Sequence, residues 1–251
     1  MNKTKIDWCD MSWNPVVGCL HNCGYCYAEK ITKRFGGQLL DGNLDKLHIL
    51  EREQRSSVDG RILSFPYGFE PTFYRYRLDE PQRIKKPQKI FVVDMGDLFG
   101  DWVPDTWIEQ VFKACEAAPW HKYLFLTKNP AGLKYPFHLN FANKNFWIGT
   151  SITNTSDSVR MKVLIDETTR NTNRFISVEP LLGNMGPMLE ELKDIKWVII
   201  GQQTGPGAKF PQGEWVQSII DQCKASNVPV LIKRPLYEKF PIQQWPEGLE
   251  V

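Results

Sequence analysis

The chain has 251 residues, 42% hydrophobic and 24% charged, and its 31 Lys and Arg against 29 Asp and Glu leave a net charge of +2. This size allows one or two domains with a core that needs no disulfide staples. The composition excludes a disordered chain, and the near balance of charge excludes a polycation held to nucleic acid by bulk charge, though not a local basic patch.

In chain order, MSWNPVVG (11–18) is the first candidate strand, and it runs into three cysteines, Cys19, Cys23 and Cys26. A helix is expected over about 26–35. The next stretch, about 36–88, is far longer than one strand-to-helix connection needs, and reads as an insertion. Its end, PTFYRYRLDEPQRIKKPQK (71–89), holds six basic and two acidic residues with Phe73, Tyr74 and Tyr76 between them. Rings beside arginines can stack on bases while the cations meet phosphate, which makes this segment a candidate nucleic-acid contact. The competing reading is a solvated, proline-punctuated loop. From residue 89 onward, short β-prone runs alternate with amphipathic stretches, the pattern of repeated βα units on a parallel sheet. The runs are KIFVVD (89–94), KYLFLTK (122–128), FWIGTS (146–151), RFISVE (174–179), KWVIIG (196–201) and VPVLIKR (228–234). Helices are expected over 104–117, 156–169, 187–194 and 214–225. The link 129–145, which contains Pro130 and Pro136, reads as loop or broken helix.

The runs end in polar residues: Asp94; Thr127 and Lys128; Thr150 and Ser151; Glu179; Gln202; Lys233 and Arg234. In a parallel α/β barrel such ends share one face, where active sites are built. No apolar run nears the roughly 18 residues that span a bilayer, and the opening MNKTKIDWCDMSWNP has no apolar core of a secretory signal. The expectation is a cytoplasmic protein that does not enter a membrane.

There are six cysteines in all. Disulfides are not expected in a reducing compartment. Cys115 shares a helical face with Trp107, Ile108, Val111 and Phe112, and Cys223 one with Val216, Ile219 and Ile220, so both are assigned to the core. Cys9 is kept as a candidate extra metal ligand. The close trio is different. A closed structural zinc site needs four ligands, and the fourth here would have to be His21 or Cys9. The ferredoxin spacing with its remote Cys-Pro is absent. Three thiolates without an evident fourth suggest a 4Fe–4S cluster with one iron open.

Cys19-x-x-x-Cys23-x-Tyr25-Cys26 resembles the signature of radical S-adenosylmethionine (radical SAM) enzymes. The blocks WNPVVGC, CYAE, VDMGDLFGDWVP, FLTKNP, WIGTSITN, FISVEPLLG and WVIIGQQTGPGAK resemble, in order from about 12 to 210, a phage-associated three-cysteine-motif branch of that superfamily. The chain departs from the branch in the closer spacing of its first two cysteines. It also has Gly201-Gln202-Gln203-Thr204-Gly205 where the branch usually has Gly-Gly-Glu-Ser-Gly, so no charged role is transferred to Gln203.

The resemblance implies a partial or near-complete parallel (β/α) barrel, one domain over 1–251 with the insertion at 36–88 and a tail at 235–251. It implies that Cys19, Cys23 and Cys26 ligate a 4Fe–4S cluster that cleaves S-adenosylmethionine reductively to a 5′-deoxyadenosyl radical, which abstracts hydrogen from a substrate. It places Tyr25 near the adenine, Gly96 and Asp97 at the amino group, Thr150 and Ser151 at the carboxylate or ribose, Glu179 at ribose hydroxyls or substrate, and Gly201 against the adenine. An electron donor such as a flavodoxin or ferredoxin is implied. The first substrate candidate is a nucleic-acid base or nucleotide, followed by a peptide or small metabolite. The loop at 36–88 and the tail at 235–251 are candidate docking surfaces for a partner protein. The alternatives are a non-catalytic iron–sulfur or zinc protein that binds nucleic acid or a protein partner, and a scaffold whose trio no longer loads a cluster.

Overall fold

Strands and helices alternate along most of the chain in the computed structural model, which describes residues 1–39, 47–134, 140–205 and 207–249. The parts of the expected insertion, of the 129–145 link and of the tail that fall on 40–46, 135–139 and 250–251 lie outside the described residues. Asn2–Lys3 (β1) precedes Met11–Trp13 (β2), and Val16–Val17 (β3) leads through the cysteine loop into the helix Tyr27–Phe35 (α1). His48–Leu50 (β4), Thr72–Tyr74 (β5) and the short helix Glu80–Arg83 (α2) follow. Then come Lys89–Val92 (β6), Asp105–Glu116 (α3), Lys122–Thr127 (β7), Phe146–Ile152 (β8), Val159–Asp166 (α4), Asn173–Val178 (β9), Leu189–Leu192 (α5), Trp197–Ile200 (β10), Gly213–Ala225 (α6) and Val230–Ile232 (β11).

Eight strands form one sheet in the order β1-β2-β6-β7-β8-β9-β10-β11. β1 and β2 are antiparallel and every other neighbouring pair is parallel. The two end strands are not paired with each other, so the sheet is open and the expected α/β fold does not close into a barrel among the described residues. The expected first strand, 11–18, divides at Pro15, which has no N–H to give a ladder. Its first half joins the large sheet, and β3 joins a small one of order β3-β5-β4. β4, β5 and α2 are thus regular elements within the expected insertion.

The two faces of the parallel strands carry different cores, as period-two alternation requires. Ile90, Val92, Phe125, Ile148, Ile176, Val198 and Ile200 pack with Trp107, Phe112, Cys115, Leu164, Ile219 and Cys223 of the helices. The opposite face carries Phe91, Leu124, Trp147, Phe175, Trp197 and Leu231, joined by Trp8, Cys9 and Leu249. On this inner face the rings stand toward the amino ends of the strands. Small residues follow them: Gly149 and Ser151 after Trp147, Ser177 after Phe175, Gly201 after Trp197. A Cβ on Gly149 would lie 2.6 Å from the Phe175 ring, so this glycine makes room for the floor. Space is left above that floor at the carboxyl ends.

The tail at 235–251 is tied to the sheet at several points. Ile232 N–H donates to Ile242 O and Gln244 N–H to Val230 O, each at 2.8 Å, and Trp197 Nε1 donates to Gln244 O at 3.0 Å. Trp245 lies 5.3 Å from the Trp197 ring, with Lys89 Nζ 5.0 Å over it. One ring thus touches both β10 and the start of β6, which are not neighbours in the sheet. The 71–89 segment also departs from expectation. Phe73 and Tyr74 are buried in β5, and Phe73 stacks on Trp107 at 5.1 Å, so neither ring can stack on a base. Arg77 lies 4.1 Å over Tyr74 and donates to Asn14 O, while Arg75 is paired with Glu51. These cations support the fold. No described helix is long and apolar enough to cross a membrane.

Candidate functional site

The cysteine loop is held close to the end of β6 by two glycines. Gly18 N–H donates to Met95 O at 3.0 Å, and Gly18 and Gly96 form a parallel bridge. Gly18 has φ +99°, and a Cβ there would stand 2.5 Å from Glu70 O. On Gly96 a Cβ would meet Gly18 O at 2.8 Å. Both positions therefore exclude side chains, and the glycines bring the loop over the carboxyl end of the sheet. Cys26 caps α1, its Sγ accepting Glu29 N–H at 3.4 Å. Lys128 Nζ lies 5.4 Å over the Tyr25 ring. Cys19, Cys23 and Cys26 are all partly accessible. Burial pushes the Cys19 thiol up to about 12, so without a metal it is held as the thiol.

Val93, directly after β6, has φ +62°, a left-handed conformation that a β-branched residue rarely takes and that costs on the order of 1–3 kcal/mol. Asp94 follows it. Asn14 Nδ2 donates to Asp94 Oδ1 at 2.5 Å, Asn14 Oδ1 accepts Met95 N–H at 3.0 Å, and Tyr27 OH donates to Asp94 O at 2.7 Å. Burial raises the Asp94 carboxyl above its ordinary value against these hydrogen bonds.

One cavity of about 430 Å³ collects these elements. All three cysteines of the trio line it, with Tyr25, Gly96, Asp97, Ser151 and Glu179 of the expected residues, and the strand ends Asp94, Thr127, Lys128, Gln202, Lys233 and Arg234. Glu179 is paired with Lys233. Gly201 serves this pair, since a Cβ there would lie 2.8 Å from Glu179 Cδ.

Gly201 and Thr150 are not on the cavity wall, and Thr150 and Asp97 are held by contacts within the chain. Thr150 is fully buried and donates to Thr127 O at 2.9 Å, and it does not line the cavity. Alternation turns it to the opposite side of β8 from Ser151. Asp97 is 3% exposed and its oxygens are committed within the chain: Oδ1 accepts Phe99 N–H at 3.1 Å, and Oδ2 accepts Lys128 N–H at 2.9 Å and lies 2.8 Å from His21 Nε2. It positions the cysteine loop, and an ammonium ligand would have to compete for it. Cys9 packs in the inner apolar cluster and is not on the cavity wall.

Sequence reasoning missed two wall residues, Trp8 and Ser177, and read Gln202 only as the polar end of its strand. Ser177 Oγ, Gln202 Oε1 and Trp8 Nε1 are buried without a hydrogen-bond partner, and all three residues line the cavity. Leaving such groups unsatisfied costs about 1–3 kcal/mol each, which an incoming ligand can recover. Ser177 was legible only as the inward residue two places before Glu179.

Among the described residues no group of three or more His, Cys, Asp or Glu is placed to hold a metal ion. A multi-iron cluster makes a different demand, since each of its cysteines binds a separate iron. Three thiols on one loop at the rim of a cavity with unsatisfied polar walls fit such a cluster together with an organic ligand.

The family model described as protein of unknown function (DUF5131) matches residues 3–235. No curated protein matches the chain. Solved structures of spore photoproduct lyase match it in fold. The complex with dinucleoside spore photoproduct has a TM-score of 0.53 at 11% identity, covering 92% of this chain and 79% of that one. A mutant with the same ligand has a TM-score of 0.51 at 10% identity, with the same coverage. A second mutant has 0.52 at 8%, covering 92% and 78%. At such identities the likeness is one of fold.

Proposed function

We propose a function for a chain that belongs to the family of unknown function DUF5131: it is a radical S-adenosylmethionine enzyme. The observation that carries this reading is the placement of Cys19, Cys23 and Cys26 on one loop at the rim of the cavity formed by the strand ends. Bound there, a 4Fe–4S cluster with S-adenosylmethionine would supply a 5′-deoxyadenosyl radical able to take hydrogen from an unreactive carbon.

The chain's own residues do the rest. The three cysteines hold the cluster, and the contacts of Asp97 with His21 and Lys128 fix the loop against β6 and β7. Asp94 and Glu179 bring carboxylates to the wall, and Lys128, Lys233 and Arg234 bring cations. Ser151, Ser177 and Gln202 offer hydrogen bonds to the cofactor or substrate. The aromatic floor and the Trp8 ring exclude water from the reacting atoms.

The substrate is a nucleic-acid base or nucleotide in this reading. Support comes from the fold shared with a lyase solved with a dinucleoside, and from the unpartnered polar groups of Ser177 and Gln202 on the cavity wall. Anaerobic reconstitution with iron and sulfide tests the site. A brown protein with about four irons per chain supports it, as does a spectrum of the reduced cluster that changes on addition of S-adenosylmethionine. One zinc per chain with every coordination position filled by protein overturns it.

A further inference from the structure

The chain holds 9 tryptophans in 251 residues, and three of them stand in a line of ring contacts that starts at the cavity. Trp8 lines the cavity wall. Its ring centroid is 6.2 Å from that of Phe175 on β9, Phe175 is 6.1 Å from Trp197 on β10, and Trp197 is 5.3 Å from Trp245 on the tail. Each step lies within the range of packed aromatic pairs. Trp8 and Trp197 are buried, whereas Trp245 is 42% exposed. The line thus runs from the cavity, through the floor, to water at the amino ends of the strands. Among the described residues three indoles are buried without an acceptor, those of Trp8, Trp102 and Trp147, and of these only Trp8 lines the cavity. A buried donor left without a partner calls for a reason, and a redox role is one. Trp197 Nε1, by contrast, donates to Gln244 O at 3.0 Å.

We infer that Trp8, Phe175, Trp197 and Trp245 form an electron relay through which a radical that has met no substrate is quenched from the protein surface. The inference rests on the radical reading. A radical formed in a cavity without substrate attacks the wall hydrogen it reaches most easily. The indole N–H of Trp8 is a weaker bond than the primary C–H bond that would replace it, and no acceptor holds it. In the first step the N–H bond breaks and the C–H bond forms, which yields 5′-deoxyadenosine and a neutral indolyl radical on Trp8. One electron then passes from Trp245 to Trp8, while Trp8 takes a proton from water and Trp245 gives its Nε1 proton to solvent. Trp197 is the station between them, and Phe175, too hard to oxidise itself, is the contact that joins the two buried indoles. The Lys89 ammonium, 5.0 Å over the Trp245 ring, favours the neutral radical there over a cationic one. A thiol of the medium restores Trp245 by giving one electron, with a proton from water. Oxidation thereby ends at an exposed ring and spares the cysteine loop.

Two experiments test the relay, one of them without cofactor. Photogenerated ruthenium(III) tris-bipyridine, a one-electron oxidant too bulky for the cavity, is applied to the full chain free of iron, and oxidised tryptophans are located by mass spectrometry of its peptides. Wild type is expected to carry oxygen adducts at Trp245 and also at Trp8, in spite of its burial. Trp245→Phe, at the surface, and Trp197→Phe, in the floor, should both lose the adduct at Trp8. An unmodified Trp8 in wild type, or equal modification of Trp8 in wild type and Trp245→Phe, overturns the inference. The second experiment supplies dithionite and S-adenosylmethionine to the reconstituted chain in deuterated water, where the Trp8 N–H becomes N–D. Wild type should release 5′-deoxyadenosine that carries deuterium, and Trp8→Phe should lose that label. An equal label in the two overturns the inference and leaves the radical reading standing. No 5′-deoxyadenosine from either protein overturns the radical reading, and this inference with it.

Discussion

His21 and Asp97 are joined across the site, with Nε2 2.8 Å from Oδ2, and the same carboxylate accepts the N–H groups of Phe99 and Lys128. One buried side chain thereby ties the cysteine loop to the ends of β6 and β7. Removing it should cost more than removing its partner on the loop. Asp97→Ala leaves two main-chain donors without their acceptor, at about 1–3 kcal/mol each, or roughly 2–4 °C of Tm per kcal/mol at this chain length. His21→Ala removes one contact from a partly accessible residue and should lower Tm by less. Thermal unfolding of both variants, with iron content after reconstitution, gives the ranking; an equal loss in the two contradicts it.

Gly18 and Gly24 lie on the same loop and should respond oppositely to alanine. Gly18 has φ +99° and a carbonyl oxygen 2.5 Å from where its Cβ would be, whereas a Cβ on Gly24 meets nothing within 4 Å. Gly18→Ala should destabilise by more than about 1 kcal/mol and lower iron retention, and Gly24→Ala should do neither. Denaturant midpoints and iron analysis of the pair check this.

Ser177→Ala should separate stability from binding. Its hydroxyl is buried and unpartnered on the cavity wall, so its loss should leave Tm unchanged or raise it. Affinity for S-adenosylmethionine or for substrate should fall by about tenfold, the equivalent of one hydrogen bond of roughly 1.4 kcal/mol. A drop in Tm with unchanged affinities would place Ser177 in the core's support.

His121 makes the stability of the chain pH-dependent. It is fully buried, accepts Gln88 N–H at Nδ1 and meets Pro81 O at Nε2, and burial holds its pKa below the ordinary 6.5. A depressed histidine contributes stability that is complete above the unfolded value and lost as pH falls below about 6.5. Urea midpoints at pH 7.5 and 5.5 should fall further in wild type than in His121→Gln; parallel falls contradict the assignment.

The strands of the large sheet were legible because buried parallel strands read as short β-branched and aromatic runs, and β6 through β11 fall on the runs that marked them, β8 and β9 each reaching one residue beyond. The cysteine loop was legible from spacing alone. Which of Thr150 and Ser151 faces the cavity was not, because both faces of β8 are buried and the sequence carries no polar alternation to set the phase. The roles of Asp97 and Asp94 depend on partners many residues away, among them His21 and Asn14, which no local pattern reveals. β3, β4 and β5 are two or three residues long, too short for any periodicity to register. The packing of the tail was not legible because Trp245 and Leu249 find their partners only once the open sheet has formed.

The claim on which the account turns is that the loop of Cys19, Cys23 and Cys26 supports reductive cleavage of S-adenosylmethionine. The direct measurement is the release of 5′-deoxyadenosine by oxygen-free, iron-reconstituted protein given dithionite and S-adenosylmethionine with no other substrate. The account predicts slow, steady release by the wild type and none by Cys23→Ala. Release that is absent from a wild type loaded with iron and sulfide, or equal in the two proteins, would contradict it.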